Sequence, residues 1–337
     1  MKQLSVGVIG LGLGRHHVAA YAKADPVGRL VICDKDTDRL ERIRAEFGKV
    51  AAAYEGVDEM LKAERLDAVS VVTPDHLHRP HAEACLQAGC HVLLTKPLAT
   101  NLEDGRAIVR AAEAAGRKLM VAHERRFRSA FASIKQLLAA GELGLVIHLR
   151  IDAIQDKRRQ FAESPWYASA EAGRTALVGT GIHEVDLIRH LVGQPIESVF
   201  AFSSRLGGLS FPADKTTAAL YRFEGGAIGQ VTVTYEAHWP KAGPIDDSLR
   251  IVGTRGIVVG GRVAIDGRDH WEDLPADERP MVTGTFGCVV SFLQAILADA
   301  PVAVTGRDGF ASLAACAAAD ESAATGRPAV PARADFA

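Results

Sequence analysis

The chain opens on short apolar runs separated by polar, helix-like stretches. Leu4–Ile9 is almost wholly apolar, and Gly10, Gly12 and Gly14 follow in quick succession. Arg15 to about Ala24 has a helical pattern, and the apolar run Leu30–Cys33 ends on Asp34. The rhythm continues with a charged helix over Thr37–Phe47, a short strand at Val50–Ala53, a helix around Val57–Lys62 and an apolar, β-branched run at Leu66–Thr73. That run reads as a buried parallel strand ended by Pro74 and Asp75. A helix over Pro80–Ala88, a strand at His91–Thr95, a helix capped by Asn101 and a sixth strand at Lys118–His123 complete the series. Such alternation predicts a doubly wound α/β domain, with helices on both faces of a parallel sheet.

From about Phe127 the pattern changes. A helix at Ala130–Ala140 leads to an alternating strand at Val146–Ala153, an irregular stretch over 155–180 and a helix at Ile182–Leu191. Strands then crowd together at Ile196–Ser203, Thr216–Phe223, Ala227–Tyr235, Ser248–Val252 and Ile257–Val259, with Glu224-Gly225-Gly226 as a hairpin turn. The expectation is an α+β domain with a mostly antiparallel open sheet, one face of which is left for another subunit. Two closing helices, Val289–Ala298 and Gly309–Thr325, are expected to pack back on the first domain. The predicted division is 1–123, 124–326 and a mobile tail at 327–337.

Strand, glycine turn, helix, strand and terminal acid is the order a dinucleotide-binding unit needs. Glycines let the backbone approach a pyrophosphate, and the free N–H groups of the helix start hold that anion. Asp34 stands 24 residues after Gly10, where a carboxylate accepts hydrogen bonds from the hydroxyls of the adenosine ribose. It would repel a 2′-phosphate, so NAD is expected over NADP, with Lys35 and Arg39 softening the preference. Gly10, Gly12, Leu13, Gly14, Arg15, Asp34 and Arg39 form the expected adenosine and pyrophosphate contacts. Ligands of such sheets sit at the carboxyl ends of the strands, which adds Thr73, Pro74, His78 and Lys96 on the nicotinamide side.

Composition narrows the class. The net charge of −2 gives no electrostatic case for nucleic acid or an anionic membrane. No continuous apolar run reaches the roughly 18 residues of a membrane span, so no spanning helix is expected. The amino terminus runs straight into the first strand without a signal-peptide pattern. Cys33, Cys85, Cys90, Cys288 and Cys316 are scattered and form no C-x-x-C pair, which suits reduced thiols in a cytoplasmic protein.

Lys96, at a strand's carboxyl end and before Pro97, can orient a hydroxyl oxygen and stabilise alkoxide charge. The Lys96–Pro97 bond is a candidate for the cis form. His183 and Asp186, three residues apart, share a helix face, and an imidazole transfers protons well near neutral pH. Three histidines in His76–His81 have zinc-like spacing. Pro80 stands where an acid would be, and no second cluster matches, so no metal is expected. His16 and His17 open the first helix and fit turn geometry or phosphate contact. Trp166 and Tyr167 either wall a substrate pocket or belong to the core.

The runs GVIGLGLGRHH, TPDHLH, AGCHVLLTKPLAT and GTGIHEVDLIRHLVG resemble the Gfo/Idh/MocA oxidoreductases, and the resemblance covers nearly the whole chain. It implies an N-terminal Rossmann domain, a C-terminal α+β domain whose open sheet builds a homodimer or homotetramer, and oxidation or reduction of sugars, inositols and related polyols with NAD or NADP. The family's E-K-P motif corresponds to Thr95-Lys96-Pro97, and its D-x-x-x-H-x-x-D pattern to Gly179, His183 and Asp186. The resemblance thus implies Lys96 and His183 as catalytic groups. Arg126, Trp166, Asp186 and Tyr235 are further candidates for substrate contact. Thr95 and Gly179 replace two family acids, and the third glycine of the turn comes one residue early, at Gly14. Two other readings stay open: transient oxidation by bound NAD that enables elimination at a neighbouring carbon, and a non-catalytic NAD-responsive regulator.

Overall fold

The computed structural model describes residues 2–239 and 248–334. It divides into two compact units. The first contains the chain up to Glu124 together with Met281–Phe310, and the second contains Arg125–Pro280 and Ala311–Ala334.

In the first unit β1 (Leu4–Ile9), α1 (Gly14–Lys23), β2 (Val27–Cys33), α2 (Thr37–Glu46), β3 (Val50–Tyr54), α3 (Val57–Ala63), β4 (Ala68–Val71), α4 (His78–Gln87), β5 (His91–Thr95), α5 (Leu102–Ala114) and β6 (Leu119–Ala122) alternate. The sheet order is β3-β2-β1-β4-β5-β6, with every pair parallel. Chain order reverses between β1 and β4, and ligands of such sheets bind outside the carboxyl ends at that switch. β4 is buried along its whole length, as a strand covered on both faces must be. Side-chain caps start two helices: Asp36 accepts from the Arg39 N–H at 2.9 Å, and Asn101 from the Asp104 N–H at 2.9 Å. Beneath the sheet's glycine turn, buried His17 places Nδ1 3.1 Å from Ser70 Oγ, which also meets Tyr21 Oη at 2.8 Å.

The second unit runs α6 (Ser129–Ala139), β7 (Val146–Ile154), α7 (Arg158–Glu163), α8 (Ile182–Val192), β8 (Ile196–Ser204), β9 (Thr216–Phe223), β10 (Ile228–Thr234), β11 (Arg250–Gly253), β12 (Gly256–Val259), β13 (Arg262–Ile265) and β14 (Glu272–Asp273). Its eight strands follow the order β14-β13-β12-β11-β7-β10-β9-β8, and all pairs are antiparallel except β7 with β10. One face is buried through Leu149, Ile151, Val199, Ala201, Ala219, Tyr221, Val231 and Val233. The stretch over 155–180 is more regular than expected, with α7, a 3₁₀ turn at Pro165–Ala168 and a π-helical turn at Leu177–Gly181.

Two expectations need correction. α9 (Pro280–Leu297) is longer than predicted and, with a mean hydropathy of 1.6 over 18 residues, has the length and composition of a membrane span. Scattered Thr, Gly, Ser and Gln hid it as an apolar run. Gly284, Thr285, Cys288, Val289, Phe292, Leu293 and Ala295 nonetheless lie buried near i, i+4 spacing, the stripe of a helix packed on one side. A side chain at Gly284 would strike the Glu124 carbonyl at 2.5 Å, so this face meets backbone directly. The tail is anchored rather than mobile at residue 329: Ala329 exchanges two 2.9 Å backbone hydrogen bonds with Val199. α10 (Gly306–Thr325) closes the helical part of the chain.

Candidate active site

In the first unit the chemistry collects at the carboxyl ends of the strands. Gly10 has φ +84°, and a Cβ there would lie 2.6 Å from the Val72 carbonyl oxygen. Only glycine lets β1 turn this close to β4. At Gly12 a Cβ would meet nothing within 4 Å, so the outer side of the turn is open. Leu13, half exposed, precedes α1, which begins at Gly14. Arg15 pairs across the surface with Glu46 at 2.9 Å.

Asp34 is buried and fixed at the end of β2. Its Oδ2 accepts from the Leu11 N–H at 2.7 Å and its Oδ1 from the Asp36 N–H at 3.0 Å. Arg39 Nη1 adds bonds of 3.0 and 3.2 Å. The acid therefore locks the glycine turn to β2 and carries a cation on its outer side.

Lys96 follows β5, is partly exposed, and is joined to Pro97 by a cis peptide bond. His78 departs from expectation. It has no exposed surface, and its ring nitrogens lie 2.8 Å from the Pro97 carbonyl and 3.1 Å from the Thr73 carbonyl. It braces the Thr73-Pro74 loop against the Lys96-Pro97 segment and offers a ligand no surface of its own. His81 Nδ1 turns instead to Thr73 Oγ1 at 3.2 Å. The three histidines of this run do not converge. Among the described residues no group of three or more His, Cys, Asp or Glu side chains is arranged to hold a metal.

In the second unit the π-helical turn runs into α8, which ends at Gly193 in the left-handed conformation. π turns inside helices frequently mark functional sites. His183 stands in the first turn of α8 and is partly exposed. Asp186 and Arg126, expected at a substrate, are instead joined to each other. Arg126 Nε and Nη2 grip the Asp186 carboxylate at 2.7 and 2.6 Å, and Ser312 donates to it at 3.0 Å. Asp186 is 1% exposed, and a carboxylate so buried is stable only when paired and hydrogen-bonded. Fully buried Glu184 is likewise paired with Arg125. These two ion pairs fix the helix that carries His183.

Tyr235 also proves internal. It is 3% exposed, and its hydroxyl lies 3.0 Å from Thr180 Oγ1 and 3.3 Å from the Ala176 carbonyl. Its ring meets Phe161 and Phe211 edge-on, so it clamps the π turn. Trp166 stacks on Tyr167 with centroids 3.9 Å apart, and both rings lie under the Arg174 guanidinium, at 5.2 and 4.9 Å. Arg174 belongs to no sequence motif. It is buried and donates to the Gly179 carbonyl at 2.9 Å.

Comparison with known proteins places both parts of the chain. Residues 4–123 match the model of an oxidoreductase family with an NAD-binding Rossmann fold, and residues 131–259 match the GFO/IDH/MocA C-terminal domain. The D-apiose dehydrogenase of Paraburkholderia graminis is 31% identical over 70% of this chain; the match spans 61% of that protein, less than two thirds of its length. Inositol 2-dehydrogenase 2 of Saccharopolyspora erythraea is 30% identical over 69% of this chain and 67% of its own. Among solved structures, the WlbA dehydrogenase of Bordetella pertussis in complex with NADH and UDP-GlcNAcA is 27% identical, with a TM-score of 0.84 over 99% of both chains.

Proposed function

The chain belongs to the GFO/IDH/MocA oxidoreductases, and from that premise we propose that it is an NAD-dependent dehydrogenase moving a hydride between nicotinamide and a hydroxyl or keto carbon of a sugar, inositol or related polyol. The observation that carries this reading is the edge of the parallel sheet. Gly10, Asp34, Thr73 and Lys96 follow β1, β2, β4 and β5 at the carboxyl ends, around the β1/β4 switch. Relatives named as inositol and D-apiose dehydrogenases support the substrate class.

The residues present suit the cofactor. The open side at Gly12 leaves room for a pyrophosphate beside the N–H groups that begin α1. Asp34, already oriented by Leu11 and Asp36, takes the ribose hydroxyls. When bound, the nicotinamide accepts or returns the hydride. The protein's share is the proton and the oxygen. We assign Lys96 to orient the substrate oxygen and stabilise its developing charge, and His183 to take the hydroxyl proton in oxidation and return it in reduction. Residues 1–123 carry the cofactor role and 124–326 the substrate and assembly roles in this proposal.

Purified enzyme is expected to reduce NAD on at least one member of a sugar, inositol and polyol panel, and to bind NAD more tightly than NADP. Asp34→Ala is expected to weaken NAD and erase the preference, because Arg39, freed of its carboxylate, becomes a partner for a 2′-phosphate. Calorimetric titration with both cofactors measures this; tighter NADP binding by the wild type would overturn the NAD assignment.

We further propose a cytoplasmic homo-oligomer formed through the open sheet. All five cysteines are buried and unbridged, which suits a reducing compartment. The sheet face opposite the buried one exposes Phe202, Leu220 and Ile228, at 69%, 51% and 44%. Phe200 and Leu220 stand directly opposite in register, and Phe200 meets Phe202 edge-on at 5.0 Å. Light scattering is expected to report a dimer or tetramer, and Phe202→Glu with Leu220→Glu to shift it toward monomer. A monomeric wild type refutes the interface.

A further inference from the structure

Asp186 and Glu184 on α8 are each paired with an arginine. Asp320, partly buried on α10, is treated differently: among the described residues no Lys or Arg pairs with it. Its partner is Thr175, whose Oγ1 donates to Asp320 Oδ2 at 2.9 Å. The same Oγ1 accepts from the Val178 N–H at 3.1 Å, and the Thr175 carbonyl accepts from the Gly179 N–H at 2.9 Å. Thr175 thus ties down the start of the π-helical turn, Leu177–Gly181, which runs without a break into α8 and His183 in its first turn. One turn earlier on the same face of α10, Cys316 Sγ lies 4.0 Å from the Leu177 carbonyl.

A hydroxyl has one proton to give. An ionised carboxylate can only accept, so it claims that proton and leaves a lone pair of Thr175 for Val178. Such a charge-assisted bond is about twice as strong as a neutral one. The charge is nevertheless costly where it stands. Burial above all raises the Asp320 carboxyl from 3.8 to about 6; the Thr175 bond pulls it back, and the like charge of Asp214 adds to the rise. Asp214 itself is held by Ser203 and Arg205. The other titratable neighbours, the Cys316 thiol on α10 and the Tyr221 hydroxyl on β9, are buried and pushed up, so they stay neutral. The folded protein therefore prefers the neutral acid, and that stability is complete below about pH 3.8 and lost as the pH rises through about 6. Because the Thr175 bond favours ionisation, the ionised acid in turn holds Thr175 more tightly. Near neutral pH one charge weakens the whole fold and tightens one turn, the kind of local conflict that proteins keep at functional sites.

We infer that Asp320 is a positioning residue for the dehydrogenation proposed above: acting through Thr175, it fixes the π-helical turn and so the seat of His183. The inference rests on the assignment of His183.

Asp320→Asn keeps the shape and an acceptor oxygen and gives up the charge, so stability and activity are expected to part. At pH 8 the variant is expected to melt about 2–6 °C above wild type, a gain that shrinks as the pH falls from 6 toward 4. Its kcat is expected to fall roughly 5- to 10-fold, the difference between a charge-assisted and a neutral bond, with KM and NAD affinity little changed. Thr175→Val is expected to lose at least as much and to leave Asp320→Asn with little further effect, while Thr175→Ser keeps the activity. Hydrogen exchange at the Val178 and Gly179 amides, followed by NMR in NAD-loaded enzyme at pH 8, is expected to quicken in Asp320→Asn despite its higher Tm. A role confined to packing would lower Tm and kcat together; that result, or unchanged exchange at 178 and 179, overturns the inference. If Thr175→Val fails to fold, Asp320→Asn alone decides. If the wild type turns over no sugar, inositol or polyol, the dehydrogenase reading fails, while exchange at 178 and 179 still decides whether Asp320 holds the turn.

Discussion

Lys96→Met and His183→Asn are each expected to lower kcat by about 10²- to 10⁴-fold, the usual worth of a positioned proton-transfer or charge-stabilising group. Both substitutions remove the functional nitrogen with little change of bulk. His183 stands in a helix fixed by the Arg126–Asp186 and Arg125–Glu184 pairs, and its replacement leaves both pairs in place. Lys96 lies just past β5, whose pairing with β6 ends at Thr95. Melting temperature and NAD affinity of the His183 variant are therefore expected to stay near wild type while turnover collapses. Under the proposed assignment of both groups to one reaction, the double variant is expected to cost much less than the product of the two single losses. Single-turnover NADH formation reads the chemical step directly, and near-full turnover by either variant would sink its assignment.

Gly10→Ala is expected to destabilise the first unit by roughly 2–5 kcal/mol, combining a left-handed backbone for a non-glycine residue with a forced steric contact. The contact is with backbone. Val72 O, at 2.6 Å from the new methyl, cannot swing away, since the Val72 N–H is bonded to the Ile9 carbonyl at 2.8 Å. Any shift also strains the Leu11–Asp34 bond that shapes the cofactor turn. Gly12→Ala makes the contrast. Its methyl meets nothing within 4 Å and its φ is not left-handed, so the fold is expected to keep its melting temperature while NAD binding weakens. Thermal denaturation with parallel NAD titration separates the two. Equal melting temperatures for wild type and Gly10→Ala would refute the account.

The first unit was legible because its signals are local. β-branched runs, glycine stops and an acid at a fixed distance from the turn all act within about 30 residues, and the Asn101 cap needs only the next three. What escaped is held by distant pairs. Asp186 and His183 share a helix, yet Asp186 is claimed by Arg126 sixty residues earlier and by Ser312, 126 later. Tyr235, a candidate for substrate contact at a strand end, has its hydroxyl bound instead to Thr180, 55 residues away. Arg174 fills space that Gly179 leaves open, a relation that no residue pattern along the chain encodes. The short strands β13 and β14 carry too few residues for a period to emerge, and α9 mixes small polar residues into its apolar face.

His17, wedged under the glycine turn against Ser70 and Tyr21, couples the first unit to acidity. Burial, and secondarily His16, push its pKa from 6.5 down to about 4, so the folded protein keeps the ring neutral where an unfolded chain would already hold a proton. Its contribution is complete above about pH 6.5 and drains away as the pH falls toward 4, because over that window unfolding takes up a proton. The ring that seats α1 on β4 thereby ties cofactor-turn integrity to pH, through a residue that touches neither hydride nor substrate.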